Sequence, residues 1–322
     1  MKKIGLVFAG GGGKGAYHIG VWRALRQTGL DQWVAAVSGT SVGGLNAALF
    51  LQGDLEIAEE IWKQISKEKI LTPKRGFPKP EYHDHMHLYL RDGLLEIIRN
   101  HLDMSVFDKS SRNCYLACVR TFYQKDWDSY VQMTTCPGGT KEYQKYVNGK
   151  ATYFNMRSFS YEDREGILLA TSAIPFIFPR EKIGGYYYMD GCMADNVPIE
   201  PLYRLEHCGI IVAVHLDCNK GTLDHKLFPN AKILEVRPTQ DLGGVFSGVL
   251  NFNAEDAVRK MRQGYEDTIT VFDKIAQSAS MERDAARQWE DAAGREALAV
   301  QRMQQGRANI QKMLDRWDDG RS

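Results

Sequence analysis

No run in the 322-residue chain approaches the ~18 consecutive apolar residues that a membrane-spanning helix needs. Any membrane contact is therefore expected to be peripheral. A charge excess is also missing: 41 Lys and Arg against 40 Asp and Glu leave a formal +1, which gives no support to nucleic-acid binding. The six cysteines are scattered, with no C-x-x-C, which argues for reduced thiols in a cytoplasmic protein and against a disulfide framework. Met1-Lys2-Lys3 is basic, but the apolar run after it is short and cut by glycines, so a buried first strand is expected there and not a signal peptide. There is no internal repeat and no sustained heptad. What remains, 43% hydrophobic and 25% charged residues, is ordinary for a globular α/β protein of one large domain with or without an appendage.

Continuous apolar runs, and not alternating ones, mark the expected strands at 4–9, 34–38 and 210–216. Such runs belong to parallel strands buried on both faces. Further strands are expected at 114–119, 130–133, 186–189 and 232–236. Helices are expected at about 15–28, 43–52, 54–68 and 161–172, with a short one around Leu94–Ile98. Strands separated by helices predict a three-layer α/β/α fold with a mostly parallel central sheet. Residues 69–91, with Pro73, Pro78 and Pro80, read as irregular and are a candidate lid. After about 254 the chain turns helical to its end, which divides it into 1–253 and a helical extension, 254–322. That extension is expected to be a solvated appendage packing by a narrow stripe; the functional alternative is a homodimer or membrane-surface helix.

Between the first strand and the first helix lies Gly10-Gly11-Gly12-Gly13-Lys14-Gly15. A P-loop would need a glycine at Phe8 and Ser or Thr at Gly15, and has neither. A dinucleotide fingerprint fits the letters Gly10, Gly12 and Gly15, but the second strand ends Val37-Ser38-Gly39 without its acid. The remaining reading is an oxyanion hole: consecutive glycines let backbone N–H groups converge, and the following helix adds its positive end.

The second strand runs into Gly39-Thr40-Ser41-Val42-Gly43, a G-x-S-x-G on a strand-to-helix turn that would expose a serine hydroxyl. Ser41 needs a base. His207, His215 and His225 follow it, but none lies in a loop that obviously returns to an elbow, and His215 reads as a core histidine. His83, His85 and His87 alternate around Asp84 and could be taken for a metal site, though a polar loop is the better reading, and no metal or other cofactor is expected. Asp190, followed by Gly191 after the run Tyr186–Met189, is the other candidate. A partly buried carboxylate there has a raised proton affinity and can act as base without histidine.

Taken together, Gly10–Gly15, Gly20-Val21, Gly39-Thr40-Ser41-Val42-Gly43-Gly44-Leu45-Asn46-Ala47, Ile174-Pro175, Phe178-Pro179, Asp190-Gly191 and Asn196-Val197-Pro198 resemble the patatin-like phospholipase family, in the family's order, from residue 4 to about 216. The resemblance implies a Ser–Asp dyad without a triad histidine: Ser41 as nucleophile, Asp190 as general base and Gly11, Gly12 and Gly13 as oxyanion donors. Gly10, Lys14, Gly15, Gly39, Gly43 and Gly191 would support them. One departure is Cys192, where the family usually has Gly or Ala. The implied reaction is metal-free hydrolysis of the acyl ester of a phospholipid or other lipid at a membrane surface; Phe176, Ile177, Phe178 and Tyr187 are candidates for the acyl channel, with a place in the core as the better reading. The alternatives are a carboxylesterase or thioesterase on soluble esters, a non-catalytic lipid-binding regulatory module and, least favoured, a dinucleotide-dependent oxidoreductase.

Overall fold

The computed structural model describes residues 2–73, 88–121, 150–175, 177–219 and 223–319. Its strands are β1 (Ile4–Phe8), β2 (Val34–Thr40), β3 (Thr72–Pro73), β4 (Tyr89–Leu90), β5 (Asn113–Thr121), β6 (Ala151–Asn155), β7 (Glu181–Ile183), β8 (Tyr186–Asp190), β9 (Ile210–Val214) and β10 (Lys232–Val236). Eight of them form one sheet in the order β10-β9-β1-β2-β5-β8-β7, with β6 also on β5. β10, β9, β1, β2 and β5 run parallel, each with its neighbour. The other flank is antiparallel, β6 and β8 against β5 and β7 against β8. Its source is local: β7 and β8 are joined by Gly184 and Gly185, both at positive φ, as a two-residue hairpin turn requires.

Helices cover both faces. On one lie α1 (Ala16–Gln27) and α2 (Val42–Gln52), where Phe8 of β1 meets Phe50 edge-on at 6.2 Å between ring centroids. On the other, Val7, Ala36, Ile211 and Ala213 pack against Ile199, which precedes the helix Glu200–Arg204, and Leu202 within it. Burial on both sides is why these strands read as unbroken apolar runs, and the result is the three-layer, mostly parallel α/β sheet expected. The helix expected over 54–68 is divided: α3 (Leu55–Gln64) ends, and Ser66 caps a short new helix by accepting from the Lys69 N–H at 3.3 Å.

The candidate lid lies largely outside the described residues, as do the expected strand 130–133 and the His83–His87 cluster. The ends of the lid segment are described: Thr72 pairs with Leu90 and Pro73 with Tyr89.

The chain forms two compact units, Met1–Ile269 and Thr270–Ser322. A single long helix, Ala254–Asp319, starts at the residue where the sequence division was drawn, but its residues to Ile269 group with the sheet. In the second unit Met281, Trp289 and Met303 are exposed, and among the described residues no helix is long and apolar enough to cross a membrane.

Candidate functional site

Ser41 stands between β2 and α2 with φ 56 and ψ −130. Among the described residues only His207 shares a positive φ without being glycine. Such a backbone costs on the order of 1–3 kcal/mol and has to be held by its surroundings. Here Gly43, in the first turn of α2, lies so close to β1 that a Cβ would overlap the Phe8 carbonyl oxygen, while Gly39 of β2 packs against Gly43 itself. The Ser41 N–H donates to Thr171 Oγ1 at 3.0 Å, and the Thr171 hydroxyl donates to Ala117 O at 2.7 Å, tying the elbow to β5.

Asp190 ends β8, and its N–H donates to Ala173 O at 3.1 Å. Its side chain is fully buried: Oδ1 accepts the Cys192 N–H at 2.9 Å and Oδ2 has no hydrogen-bond partner among the described residues. Gly191 opens the three-ten turn that supplies this amide. Because the contact comes from the backbone of Cys192, replacing the usual small residue leaves it intact. Burial pushes the carboxyl up to about 6, against the Ser41 hydroxyl, the Cys192 contacts and Arg91, which pull it down. The Ser41 hydroxyl is thus close enough to influence Asp190.

The glycine nest leaves β1 beside this pair. The Gly10 N–H donates to Asn196 O at 3.1 Å and the Lys14 N–H to Gly11 O at 3.2 Å. Among the described residues the N–H groups of Gly11, Gly12 and Gly13 enter no turn or loop hydrogen bond. Gly12 has φ +55, and a Cβ there or at Gly13 would overlap the backbone oxygens of Val249 and Asn251. The Lys14 side chain passes close to Gly248. Gly15 opens α1, and its carbonyl accepts from Asn46 Nδ2 at 2.9 Å.

An apolar cavity enclosing about 800 Å³ of empty space, its open mouth included, is lined by both Ser41 and Gly12. Its walls are Ile61 and Trp62 of α3, Leu94, Ile97 and Ile98 of the helix Asp92–His101, and Ile174, Phe178 and Phe252. Of the four aromatic and apolar candidates for a channel, only Phe178 is on the lining: Phe176 lies outside the described residues, and Ile177 and Tyr187 are elsewhere. Much of the wall comes from the inner faces of two amphipathic helices.

The sequence model of one family, described as patatin-like phospholipase, matches residues 6–203. The chain belongs to the patatin-like phospholipase family. A patatin-like phospholipase domain-containing protein of Caenorhabditis elegans is 46% identical over 57 residues, 18% of this chain and 4% of that protein. Among solved structures, VipD from Legionella pneumophila is 13% identical with a TM-score of 0.47, the match covering 85% of this chain and 67% of VipD. Human GIVD cytosolic phospholipase A2 is 12% identical with a TM-score of 0.46, covering 86% of this chain and 59% of the human chain. This patatin-like chain thus spans a small part of the nematode relative, and its chemistry has to be argued from its own site.

Two of the histidines weighed as bases lie beside Glu235, away from the elbow of this patatin-like fold. His215 Nε2 lies 3.0 Å from Glu235 Oε2 and His225 Nε2 lies 2.7 Å from Glu235 Oε1, on β10, with β9 and β1 between it and β2. Burial, and then Arg237, push His215 down to about 4, so it is neutral at pH 7. His207 follows the helix Glu200–Arg204 and is exposed, at φ 54. Two residues that sequence reasoning left without a role help build the site. Thr171 holds the Ser41 amide, and no motif marks it. Asn46, quoted only as part of a motif, links three elements: Nδ2 reaches Gly15 O, Oδ1 accepts from Trp62 Nε1 at 3.2 Å, and the buried, neutral His18 lies at 3.2 Å.

Proposed function

We propose that this protein hydrolyses the acyl ester of a lipid, with Ser41 as nucleophile, Asp190 as general base and the N–H groups of Gly11, Gly12 and Gly13 as the oxyanion hole. The observation that carries the reading is the juxtaposition of a strained serine with a buried carboxylate whose Oδ2 is unpartnered, at a cavity walled by apolar side chains. Asp190 takes the hydroxyl proton as Ser41 Oγ attacks the ester carbonyl, and the nest holds the negative charge that forms on the carbonyl oxygen. Collapse of that intermediate expels the alcohol with the proton from Asp190. Water, deprotonated in turn by Asp190, then cleaves the acyl-serine and releases the fatty acid.

The cavity favours a lipid over a small soluble ester, because the space next to Ser41 offers an acyl chain almost nothing polar. The decisive experiment compares fatty-acid release from phospholipid vesicles, and labelling by a fluorophosphonate probe, for the wild type and Ser41→Ala. Loss of both in the variant is expected. Turnover of short soluble esters with inert vesicles would favour the esterase alternative, and labelling that persists in Ser41→Ala would remove the proposed nucleophile.

Contact with a membrane surface is part of this proposal. Phe246 is 85% exposed and Val245 61%, at the start of a segment that reaches the cavity at Phe252 and packs on Gly12 through Val249. An exposed phenylalanine on the segment that reaches this apolar cavity suits insertion among headgroups. Phe246→Asp is expected to lower activity on vesicles about tenfold, the worth of roughly 1.4 kcal/mol of lost apolar burial. Hydrolysis of a monomeric ester should be unchanged. Equal loss on both substrates would point to damage at the site itself.

A further inference from the structure

Lys260 lies far outside the residues that the family model matches, yet its ammonium touches the nest. Its side chain has no exposed surface, and Nζ donates to Gly13 O at 3.2 Å. The charge is matched by Asp256 Oδ2 at 2.6 Å. Asp256 also accepts from Asn251 Nδ2 at 2.9 Å, and the Asn251 carbonyl packs directly on Gly13. The contacts therefore close a ring: Gly13, Lys260, Asp256, Asn251 and back to Gly13. Burying an ammonium beside a half-buried carboxylate is a poor way to gain stability, since an apolar side chain of the same length fills the space without desolvating a charge. Its position suggests a different use.

Four consecutive glycines have no side chains to fix the directions of their peptide planes, and each plane can flip at little steric cost. The Gly13–Lys14 plane is pinned at both ends, its oxygen by Lys260 and its N–H by Gly11 O. With that plane fixed, the neighbouring N–H groups keep their aim. The ammonium beyond the Gly13 carbonyl also polarises the peptide and adds positive potential behind the nest.

We propose that Lys260 is a positioning residue for the oxyanion nest: it holds the Gly13 peptide so that the preceding glycine N–H groups point at the developing oxyanion. The inference rests on the Ser41–Asp190 reading above. It assigns a catalytic contribution to a segment without recognisable motif.

The test uses the full chain and a monomeric p-nitrophenyl ester. Lys260→Met and the double variant Lys260→Met with Asp256→Asn, which strands no carboxylate, are compared with the wild type. Both should lose about 10- to 100-fold in kcat, less than the ~10²–10³ for deleting an oxyanion donor because the donors remain. KM should stay within about twofold, since ground-state binding is untouched. Inactivation by a fluorophosphonate should slow by the same factor, because its adduct also places an oxygen in the nest. In Lys260→Ala, added ethylammonium should restore part of kcat and ethanol should not. Wild-type kcat per probe-titrated site in the double variant, or equal rescue by ethanol, overturns the proposal. If the wild type itself neither turns over ester nor labels at Ser41, the dyad reading has failed first and this inference falls with it, an outcome distinct from an active wild type beside an unimpaired variant.

Discussion

Asp190→Asn is expected to abolish turnover and, at neutral pH, to make the protein more stable. The first effect follows from its proposed role: removing a general base costs about 10²–10⁴ in rate. The second follows from its surroundings. The wild-type carboxyl is fully buried, with one oxygen unpartnered, and burial pushes it from 3.8 up to about 6. A carboxyl that binds its proton more tightly folded than unfolded stabilises the fold when protonated and burdens it when ionised. The burden is absent below the unfolded value, grows as pH rises from about 4 to about 6, and is full above that. At 1.36 kcal/mol per unit it approaches an upper bound of about 3 kcal/mol. An asparagine carries no such charge and still offers an oxygen to the Cys192 N–H. Urea unfolding at pH 7.5 should therefore show the variant more stable by about 1–3 kcal/mol, and the gap should close by pH 4. The same ionisation sets activity: wild-type kcat/KM on a soluble ester should rise through about pH 6 and then level. A variant no more stable at pH 7.5 than at pH 4, or an acid limb near the ordinary carboxylate value, would show that Asp190 is not held as described.

Gly20→Ala is expected to unfold or severely loosen the sheet-bearing unit. Gly20 lies in α1 where the long helix crosses it, and a Cβ there would overlap the Met261 carbonyl oxygen. Gly264 answers from the other helix, packed against the Tyr17 carbonyl. The two backbones approach so closely that neither side has a side chain to move aside. Nearby polar contacts fix the crossing: the Tyr17 hydroxyl donates to Asp267 Oδ2 at 3.0 Å, and Thr239 donates to Asp267 through its N–H at 3.1 Å and its hydroxyl at 2.7 Å. A single added methyl then has to separate the helices. Overpacking typically costs 1–3 kcal/mol, and more where backbone must shift, so a loss above about 3 kcal/mol is expected here. Gly294→Ala is the control. Nothing lies within 4 Å of a Cβ at this helical position, and alanine should be neutral or stabilising by roughly 0.5–1 kcal/mol. Chemical denaturation of the two variants decides the point. Comparable stabilities would mean that the crossing at Gly20 is looser than described.

The parts of this protein that were legible in its sequence are those where chemistry and local geometry coincide. Gly39 and Gly43 identify an elbow because a Cβ at Gly43 would overlap β1 and one at Gly39 would overlap Gly43, and the apolar runs of β1, β2 and β9 reveal a sheet covered on both faces. The resemblance built on those motifs agrees with the family match over residues 6–203. What escaped was built by long-range meetings. Thr171 holds the Ser41 amide across 130 residues of chain, and Lys260 reaches Gly13 across 247. Neither spacing leaves a periodic or local trace. The cavity is illegible for a related reason. Much of its wall is the inner faces of α3 and the helix Asp92–His101, whose apolar residues look like any core-facing stripe in the sequence.

The pairing of β1 with β9 bears on how this molecule can be cut. The strand that delivers the glycines has β2 on one side and, on the other, a strand that begins at Ile210. The family match ends at 203, before that strand, before the residues that wall Gly12 and Gly13, and before the helix crossing at Gly20. A fragment trimmed to the familiar residues would present β1 as a bare, wholly apolar edge, prone to pair with its own copies. The smallest piece expected to stay monodisperse runs to Ile269, so the boundary to respect in dissecting this protein is set by contacts to the first strand and helix, beyond the last recognisable motif.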